Sequence, residues 1–117
     1  MTKSRLISKL QKSSIEQRSE EWYKIRTKLI TASDCGVLLG YNTLSSTNKL
    51  LTTKLNNVRF ENIYTKHGQY YEPKAIEIFE KKYKKKVYDV GLLRHQKHKF
   101  LGASPDGIVS NHYLIEI

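Results

Sequence analysis

The fold of this chain is decided by residues 104–117, which read Ser104-Pro105-Asp106-Gly107-Ile108-Val109-Ser110-Asn111-His112-Tyr113-Leu114-Ile115-Glu116-Ile117. Two short segments with strand character flank Ser110-Asn111, a dipeptide typical of a turn. A hairpin that pivots on Asn111 places Asp106 opposite Glu116. Facing Cβ atoms in such a pair lie about 4.5–5.5 Å apart. The stretch therefore predicts two carboxylates side by side on one face of a hairpin.

These two carboxylates repel each other unless a cation lies between them. Oxygen ligands of this type suit Mg²⁺ or Mn²⁺ and not zinc. The prediction depends on the turn, because a shift of one residue in the register moves the two acids to opposite faces. An alternative interpretation places Asp106 in an ordinary Pro-Asp-Gly turn and Glu116 on an exposed strand. The spacing alone leaves both interpretations open.

The composition indicates one small domain with a basic surface. The chain has 117 residues, of which 38% are hydrophobic, and 21 Lys and Arg against 11 Asp and Glu give a net charge of +10. Such an excess favours nucleic acid as a partner, a property that ribosomal, chromatin and nuclease proteins share. The single Cys35 excludes an internal disulfide and fits a reducing compartment. No apolar run approaches the length of a membrane span, and no secretory signal is visible.

Hydrophobic spacing predicts helices first and strands afterwards. Residues 1–15 are basic and contain no acid before Glu16, so we expect a flexible tail there. Residues 16–117 are expected to form one α+β unit. The predicted helices cover residues 20–29, capped by Ser19, then 32–39, 47–55 and about 70–85; the predicted strands cover 87–94 and 100–103 and join the hairpin in a small, mostly antiparallel sheet. Pro73 is expected in the first turn of the last helix.

Several segments, in their order and spacing, resemble a known family. They are Gln17-Arg18-Ser19-Glu20-Glu21-Trp22, Arg26, Ile30-Thr31-Ala32-Ser33-Asp34, Gly68-Gln69-Tyr70-Tyr71-Glu72-Pro73, Gly91-Leu92, Ala103-Ser104-Pro105-Asp106-Gly107 and Leu114-Ile115-Glu116. This set, which covers roughly Glu16 to Ile117, resembles the YqaJ-like viral recombinase family, relatives of lambda exonuclease within the PD-(D/E)XK nuclease superfamily. The resemblance implies a restriction-endonuclease-like core with N-terminal helices packed on a small sheet.

The resemblance also implies a metal centre. It assigns Asp106 and Glu116 as catalytic Mg²⁺ ligands, with Mn²⁺ as a substitute, and adds the main-chain carbonyl of Ile117 as a third metal ligand. Glu72, on the preceding helix, is the further catalytic acid that helps to hold a metal or its water. Taken alone, Glu72 is an ordinary acid of a first helical turn.

A pocket for a 5′-phosphate is the second implied site, and its residues map to Arg26, Ser33 and Ser104. The local chemistry agrees, because Ser33 lies at a predicted helix start and Arg26 offers a bidentate fork for phosphate. Taken alone, Ser33 is an N-cap and Arg26 a solvated charge. Trp22 is expected in the core.

One feature departs from the family pattern. The family carries Glu-x-Lys on its last strand, and this chain ends at Ile117, one residue before that Lys. In the family the Lys orients the attacking water and stabilises developing charge. We therefore expect 16–117 to be the N-terminal part of a nuclease domain that continues further, and this fragment to be inactive.

The function implied is a Mg²⁺-dependent deoxyribonuclease, a 5′→3′ exonuclease that serves DNA recombination or repair in a virus- or phage-infected cell. Double-stranded DNA is the expected partner, with a single-strand annealing protein and a homo-oligomer as further options and no membrane contact. Two alternatives stay open: a DNA-binding module without catalysis, and an endonuclease of the same superfamily. An intracellular location is expected.

Overall fold

The described chain, residues 3–56 and 63–117 of a computed structural model, alternates N-terminal helices with very short strands. The helices are α1 (Arg5–Ser13), α2 (Glu20–Arg26), α3 (Cys35–Leu38), α4 (Thr47–Leu55) and α5 (Ile63–Tyr83), with a 3₁₀ turn at Ala32–Asp34. The strands are β1 (Ile30–Thr31), β2 (Leu93–Arg94), β3 (Leu101–Ala103), β4 (Gly107–Ile108) and β5 (Leu114–Ile115). This mixture confirms the α+β class.

The strands form two small sheets where one, mostly antiparallel, sheet was predicted. The first sheet has the order β1-β3-β2, with β1 parallel and β2 antiparallel to β3. The second is the β4–β5 hairpin. The strand β1 was missed because Ile30-Thr31 is too short to show a period of two, and only its pairing with Leu101-Gly102 makes it a strand.

Helix α1 replaces part of the basic tail predicted for residues 1–15. Its Ile7 is 2% exposed and packs with Val90 and Ile108 in the core. Ser4 caps the helix by accepting from the Ile7 N–H, and its hydroxyl donates to Asn111 Oδ1 at 2.6 Å, in the turn of the β4–β5 hairpin. The hairpin and the residues before β2 supply the surface on which the apolar stripe of α1 packs. This packing explains why the segment forms a helix.

The predicted start of α2 is confirmed, since the Ser19 hydroxyl accepts from the Trp22 N–H at 3.2 Å and Glu20 and Glu21 occupy the first turn. Helix α2 ends at Arg26, three residues before the predicted end. The next predicted helix, 32–39, begins as the 3₁₀ turn and continues as α3. Gly40, with φ 78°, follows it in the left-handed conformation that ends many helices.

Helix α5 starts earlier than predicted and contains Pro73 in its interior. Proline lacks one N–H and crowds the preceding turn, which led to a predicted start near residues 70–72. The other twenty of its 21 residues keep the helix continuous through that position. The consequence is that Glu72 lies in the middle of a long helix and not in its first turn.

Single main-chain bridges connect the helical and strand regions around the site. Ile15 pairs with Leu92, and Tyr88 pairs with Ile108. Gly91 is required at the first bridge, because a Cβ there would overlap the carbonyl of Ile15.

Within the described ranges 3–56 and 63–117, no helix combines the length and apolar character needed to span a bilayer.

Candidate active site

The β4–β5 hairpin has the predicted register. Gly107 pairs with Ile115 and Ile108 with Leu114, in antiparallel orientation. Extending this register by one position places Asp106 opposite Glu116. The turn closes with Val109 N–H donating to the Tyr113 carbonyl at 3.0 Å, so Asn111 lies at its centre. The alternative register, with the acids on opposite faces, is therefore excluded.

Main-chain contact with Ile117 holds the side chain of Asp106. The N–H of Ile117 donates to Asp106 Oδ2 at 2.7 Å, which brings the end of the chain against this carboxylate. Asp106 is half-buried, and Pro105 before it is buried. The structure thus fixes the orientation of Asp106 from both strands of the hairpin. The metal-binding role of the Ile117 carbonyl stays a prediction.

Glu72 of α5 reaches this hairpin from outside it. Burial raises the pKa of Glu72, and the negative charge of Asp106 raises it further. Arg18 lies on the other side, with its guanidinium 3.6 Å from the Glu72 carboxylate, and this charge opposes the rise in pKa. The structure therefore brings Glu72 to the same carboxylate that faces Glu116.

Glu116 is the third acid. Burial raises its pKa, and the negative charge of the neighbouring Asp106 raises it further. Asp106 is thus the common neighbour of both glutamates. Across residues 3–56 and 63–117, however, no three Asp, Glu, His or Cys side chains surround a single point where an ion could bind. The donors fit a hard cation by their chemistry, since all are carboxylate oxygens.

The predicted phosphate-binding residues are brought together around Trp22. The Arg26 guanidinium stacks over the indole, 4.1 Å from the ring centroid, and Nη2 contacts the Ser33 hydroxyl at 3.4 Å. The indole Nε1–H donates to the Ser104 hydroxyl at 3.0 Å. Burial lowers the pKa of Arg26, while the nearby Asp34 raises it. Two hydroxyls and a guanidinium therefore border one indole ring.

Trp22 has a different position from the one expected. It was predicted as a core residue, but it is half-buried and uses both its face and its N–H to connect Arg26 with Ser104. The apolar spacing on α2 suggested a buried stripe, and spacing carries no information about what the N–H contacts. Trp22 is a residue of the candidate site that sequence reasoning assigned to packing.

Other polar residues were quoted in the motifs without a role. Gln17 Nε2 donates to the carbonyls of Ser104 and Pro105, at 3.4 and 3.2 Å, and so fixes the backbone that leads into Asp106. Asp34 is 7% exposed and pairs with Lys54 of α4 at 2.8 Å. Lys54 stands outside every quoted motif, and nothing in the local sequence distinguishes it from the other lysines.

A family model described as "YqaJ-like viral recombinase domain" matches residues 21–117. The chain belongs to this family. The match covers all seven predicted site residues, which are Arg26, Ser33, Glu72, Ser104, Asp106, Glu116 and Ile117. Gln17 and Arg18 lie just before it. As a YqaJ-like domain, the chain can be compared with longer relatives.

Two solved structures of an alkaline exonuclease are similar in fold. LHK-Exo from Laribacter hongkongensis is 29% identical, with a TM-score of 0.67 over 84% of this chain and 52% of that chain. Its complex with dAMP gives a TM-score of 0.68 with the same identity and coverage. The YqaJ-like domain thus has the architecture of about half of an alkaline exonuclease.

A viral relative is also similar in sequence. An uncharacterized protein of Acanthamoeba polyphaga mimivirus is 36% identical over 97 residues, which are 81% of this chain and 18% of that protein. The YqaJ-like domain therefore spans about a fifth of the length of this curated relative.

Proposed function

We propose that the protein is a Mg²⁺-dependent DNA nuclease with a PD-(D/E)XK core, a 5′→3′ exonuclease that acts in recombination or repair. One observation supports this most: the hairpin register sets Asp106 against Glu116, with Glu72 as a second neighbour. Like charges gathered in this way are costly for the fold and are compensated by a divalent cation. Membership of the YqaJ-like family and the fold of an alkaline exonuclease agree with this chemistry.

Asp106 and Glu116 would hold the cation, with the Ile117 carbonyl as a further ligand and Glu72 holding the ion or its water. A bound Mg²⁺ supplies a more acidic water and neutralises charge on the scissile phosphate. The hydrogen bond from Ile117 keeps Asp106 in one orientation before the ion binds. Arg18 balances part of the negative charge by its contact with Glu72.

Arg26, Ser33 and Ser104 would bind the 5′-phosphate of the DNA end. Arg26 supplies a planar pair of N–H donors and Ser104 a single hydroxyl donor, while the Ser33 hydroxyl accepts from Arg26 and holds the guanidinium in place. Trp22 keeps the guanidinium and Ser104 at fixed positions relative to each other. An anchored 5′-end places the next phosphodiester at a constant distance from the carboxylates, which suits removal of one nucleotide at a time. The basic surface would hold the duplex.

The test uses Asp106→Asn in the whole protein and in the present chain. We expect Mg²⁺-driven release of nucleotides from the whole protein to fall by at least 100-fold, and Mn²⁺ binding to the present chain, followed by electron paramagnetic resonance, to weaken strongly. Glu21→Gln removes an exposed acid from α2 and serves as the control. Unchanged nucleotide release in Asp106→Asn would contradict the proposed centre.

A second candidate function is binding of DNA ends without cleavage. It is favoured by the absence, in the described part of the chain, of three acids already grouped around one point. This candidate predicts that 5′-phosphorylated DNA binds equally well with and without Mn²⁺. A protein that binds ends but releases no nucleotides under any divalent cation would support it.

An endonuclease of the same superfamily would share the carboxylates but would not need a DNA end. A closed circular duplex separates the two enzymes. The proposed exonuclease leaves the circle intact and digests it after linearisation, whereas an endonuclease converts the circle to a linear or nicked form.

A further inference from the structure

A chain of short polar contacts runs from helix α4 to the phosphate-binding residues. Lys54 Nζ lies 2.8 Å from Asp34 Oδ2 and donates to the carbonyl oxygen of Arg26 at 3.0 Å. The Lys54 and Asp34 side chains are 18% and 10% exposed, so both are largely removed from water. Lys54 therefore contacts the last residue of α2, which carries the guanidinium, and the acid of the 3₁₀ turn, which carries Ser33.

The direction of each hydrogen bond in this series of contacts follows from the hydrogens that each group can donate. Asp34 Oδ2 accepts from both the N–H and the hydroxyl of Thr31, each at 2.9 Å. The Thr31 hydroxyl has one hydrogen, which it donates to Asp34. In its 3.0 Å hydrogen bond with Ser33 the donor is therefore the Ser33 hydroxyl. The Ser33 oxygen in turn accepts from Arg26. The ionised Asp34 thus sets the orientation of Thr31, and Thr31 sets that of Ser33.

The electrostatics keep Asp34 in the charged form that this arrangement needs. Burial alone disfavours a charged Asp34, but the hydrogen bonds from Lys54 and Thr31 outweigh it, so the pKa of Asp34 is lowered. Without Lys54 the same carboxylate would lose the only cation that the structure places in direct contact with it among the described residues, which is costly for a buried charge. Arg26, Asp34 and Lys54 also line one small cavity of about 140 Å³.

We propose that Lys54 is a positioning residue of the phosphate pocket and acts through Asp34 to hold Ser33 and Arg26 in the arrangement that binds a 5′-phosphate. The inference rests on the proposed function, since it assumes that the pocket binds this group. A pocket held in place before binding loses less conformational freedom when the ligand arrives. Lys54 therefore contributes to affinity for the phosphate without touching it.

The test compares a DNA duplex carrying a 5′-phosphate with the same duplex carrying a 5′-hydroxyl, by fluorescence anisotropy at fixed salt in Ca²⁺. The measured quantity is the dissociation constant for the 5′-hydroxyl duplex divided by the dissociation constant for the 5′-phosphate duplex. We expect Lys54→Met to reduce this ratio about tenfold, the scale of one well-placed polar interaction. Lys49→Met is the matched control, because Lys49 is exposed on the same helix and its loss removes the same charge. Lys49→Met should leave the ratio as in the wild type.

A purely structural role would change stability and both affinities together and leave the ratio unchanged. Lys54→Arg, which keeps a cation beside Asp34, should recover most of the ratio. If Lys54→Met unfolds, the double variant Asp34→Asn with Lys54→Met removes both charges and leaves no buried charge unpaired, and it should show the same loss.

The outcomes separate the inference from the proposed function. A wild-type chain with no preference for the 5′-phosphate overturns the pocket, and the inference with it. A wild-type preference that Arg26→Met abolishes and Lys54→Met preserves overturns the inference alone.

Discussion

Arg18 is held in a left-handed backbone conformation, with φ 64°, which side chains other than glycine rarely adopt. Its guanidinium is 40% exposed and meets Glu72 at 3.6 Å. An exposed pair of this type contributes about 0–1 kcal/mol. The conformation costs about 1–2 kcal/mol. The pairing therefore offsets only part of the strain, which is consistent with a role for the charge next to the acids.

Two substitutions at Arg18 separate strain from charge. Arg18→Ala keeps the strain and loses the ion pair, whereas Arg18→Gly loses both. Since glycine adds about 0.5–1 kcal/mol of freedom to the unfolded chain, we expect Arg18→Gly to be more stable than Arg18→Ala by about 0.5–1 kcal/mol. Urea unfolding measures the difference. An Arg18→Ala chain that is the more stable of the two would show that the backbone is not strained.

At the scale of elements, Ile7 is the buried side chain by which helix α1 packs into the core. Ile7→Ala removes a residue that is 2% exposed and packs on Val90 and Ile108. We expect a loss of about 2–4 kcal/mol in the free energy of unfolding. Leu6→Ala, at a residue 46% exposed on the same helix, should cost less than about 1 kcal/mol. Equal losses in the two variants, measured in urea, would mean that α1 does not pack as described.

Helix α4 and the 3₁₀ turn are joined by the Asp34–Lys54 pair, and this join is pH-dependent. Because the pKa of Asp34 is lowered on folding, its contribution to stability is present above the unfolded value of about 3.9 and disappears as the pH falls through the lower folded value. Asp34→Asn should therefore cost about 1–3 kcal/mol at pH 7.

The difference between Asp34→Asn and the wild type should shrink as the pH falls below about 3.9. Urea midpoints at pH 7, 4 and 2.5 measure this change. Glu16→Gln, at an exposed residue, is the control for general charge effects. A difference that stays constant from pH 7 to pH 2.5 would show that the contribution of Asp34 to the free energy of unfolding does not depend on its charge.

At the scale of the whole molecule, the proposed binding of DNA should depend on the net charge of +10. The logarithm of the binding constant should fall linearly with the logarithm of the salt concentration, with a slope of about −0.9 for each phosphate neutralised. The lysines that follow α5 have alternative contacts: Lys85 and Lys86 lie near the rings of Tyr113 and Tyr88.

Replacing Lys85 and Lys86 with Ala should therefore leave the salt slope unchanged, although affinity falls slightly with the lost charge. Arg26→Met should make the slope shallower by about 1 for a 5′-phosphorylated end. Anisotropy titrations at several salt concentrations give both slopes. If the double lysine variant has a slope shallower by about 2, the two lysines contact phosphates of the duplex directly.

Part of the fold follows from local sequence, whereas the residues of the candidate site were assigned through the family resemblance. The spacing offered the facing register of Asp106 and Glu116 as one of two interpretations, because a shift of one residue in the turn reverses which residues face each other, and the family resemblance favoured the register that the structure has. The Ser19 cap and the 47–55 helix were predictable, since caps and helical spacing act over a few residues. The helix boundary at Pro73 was misplaced, because one unfavourable residue does not end a helix that the flanking turns support.

What the sequence by itself determined is the α+β class and the turn at Ser110-Asn111, both of which depend on interactions between residues close in the chain. The family resemblance, and not local spacing, assigned the residues of both candidate sites. Only the tertiary structure decided that α1 packs into the core, that Ile30-Thr31 pairs with Leu101-Gly102, and that Lys54 reaches Asp34. These contacts join residues far apart in the chain. Their free energy depends on which surfaces are in contact after folding, and no local pattern of residues predicts those contacts.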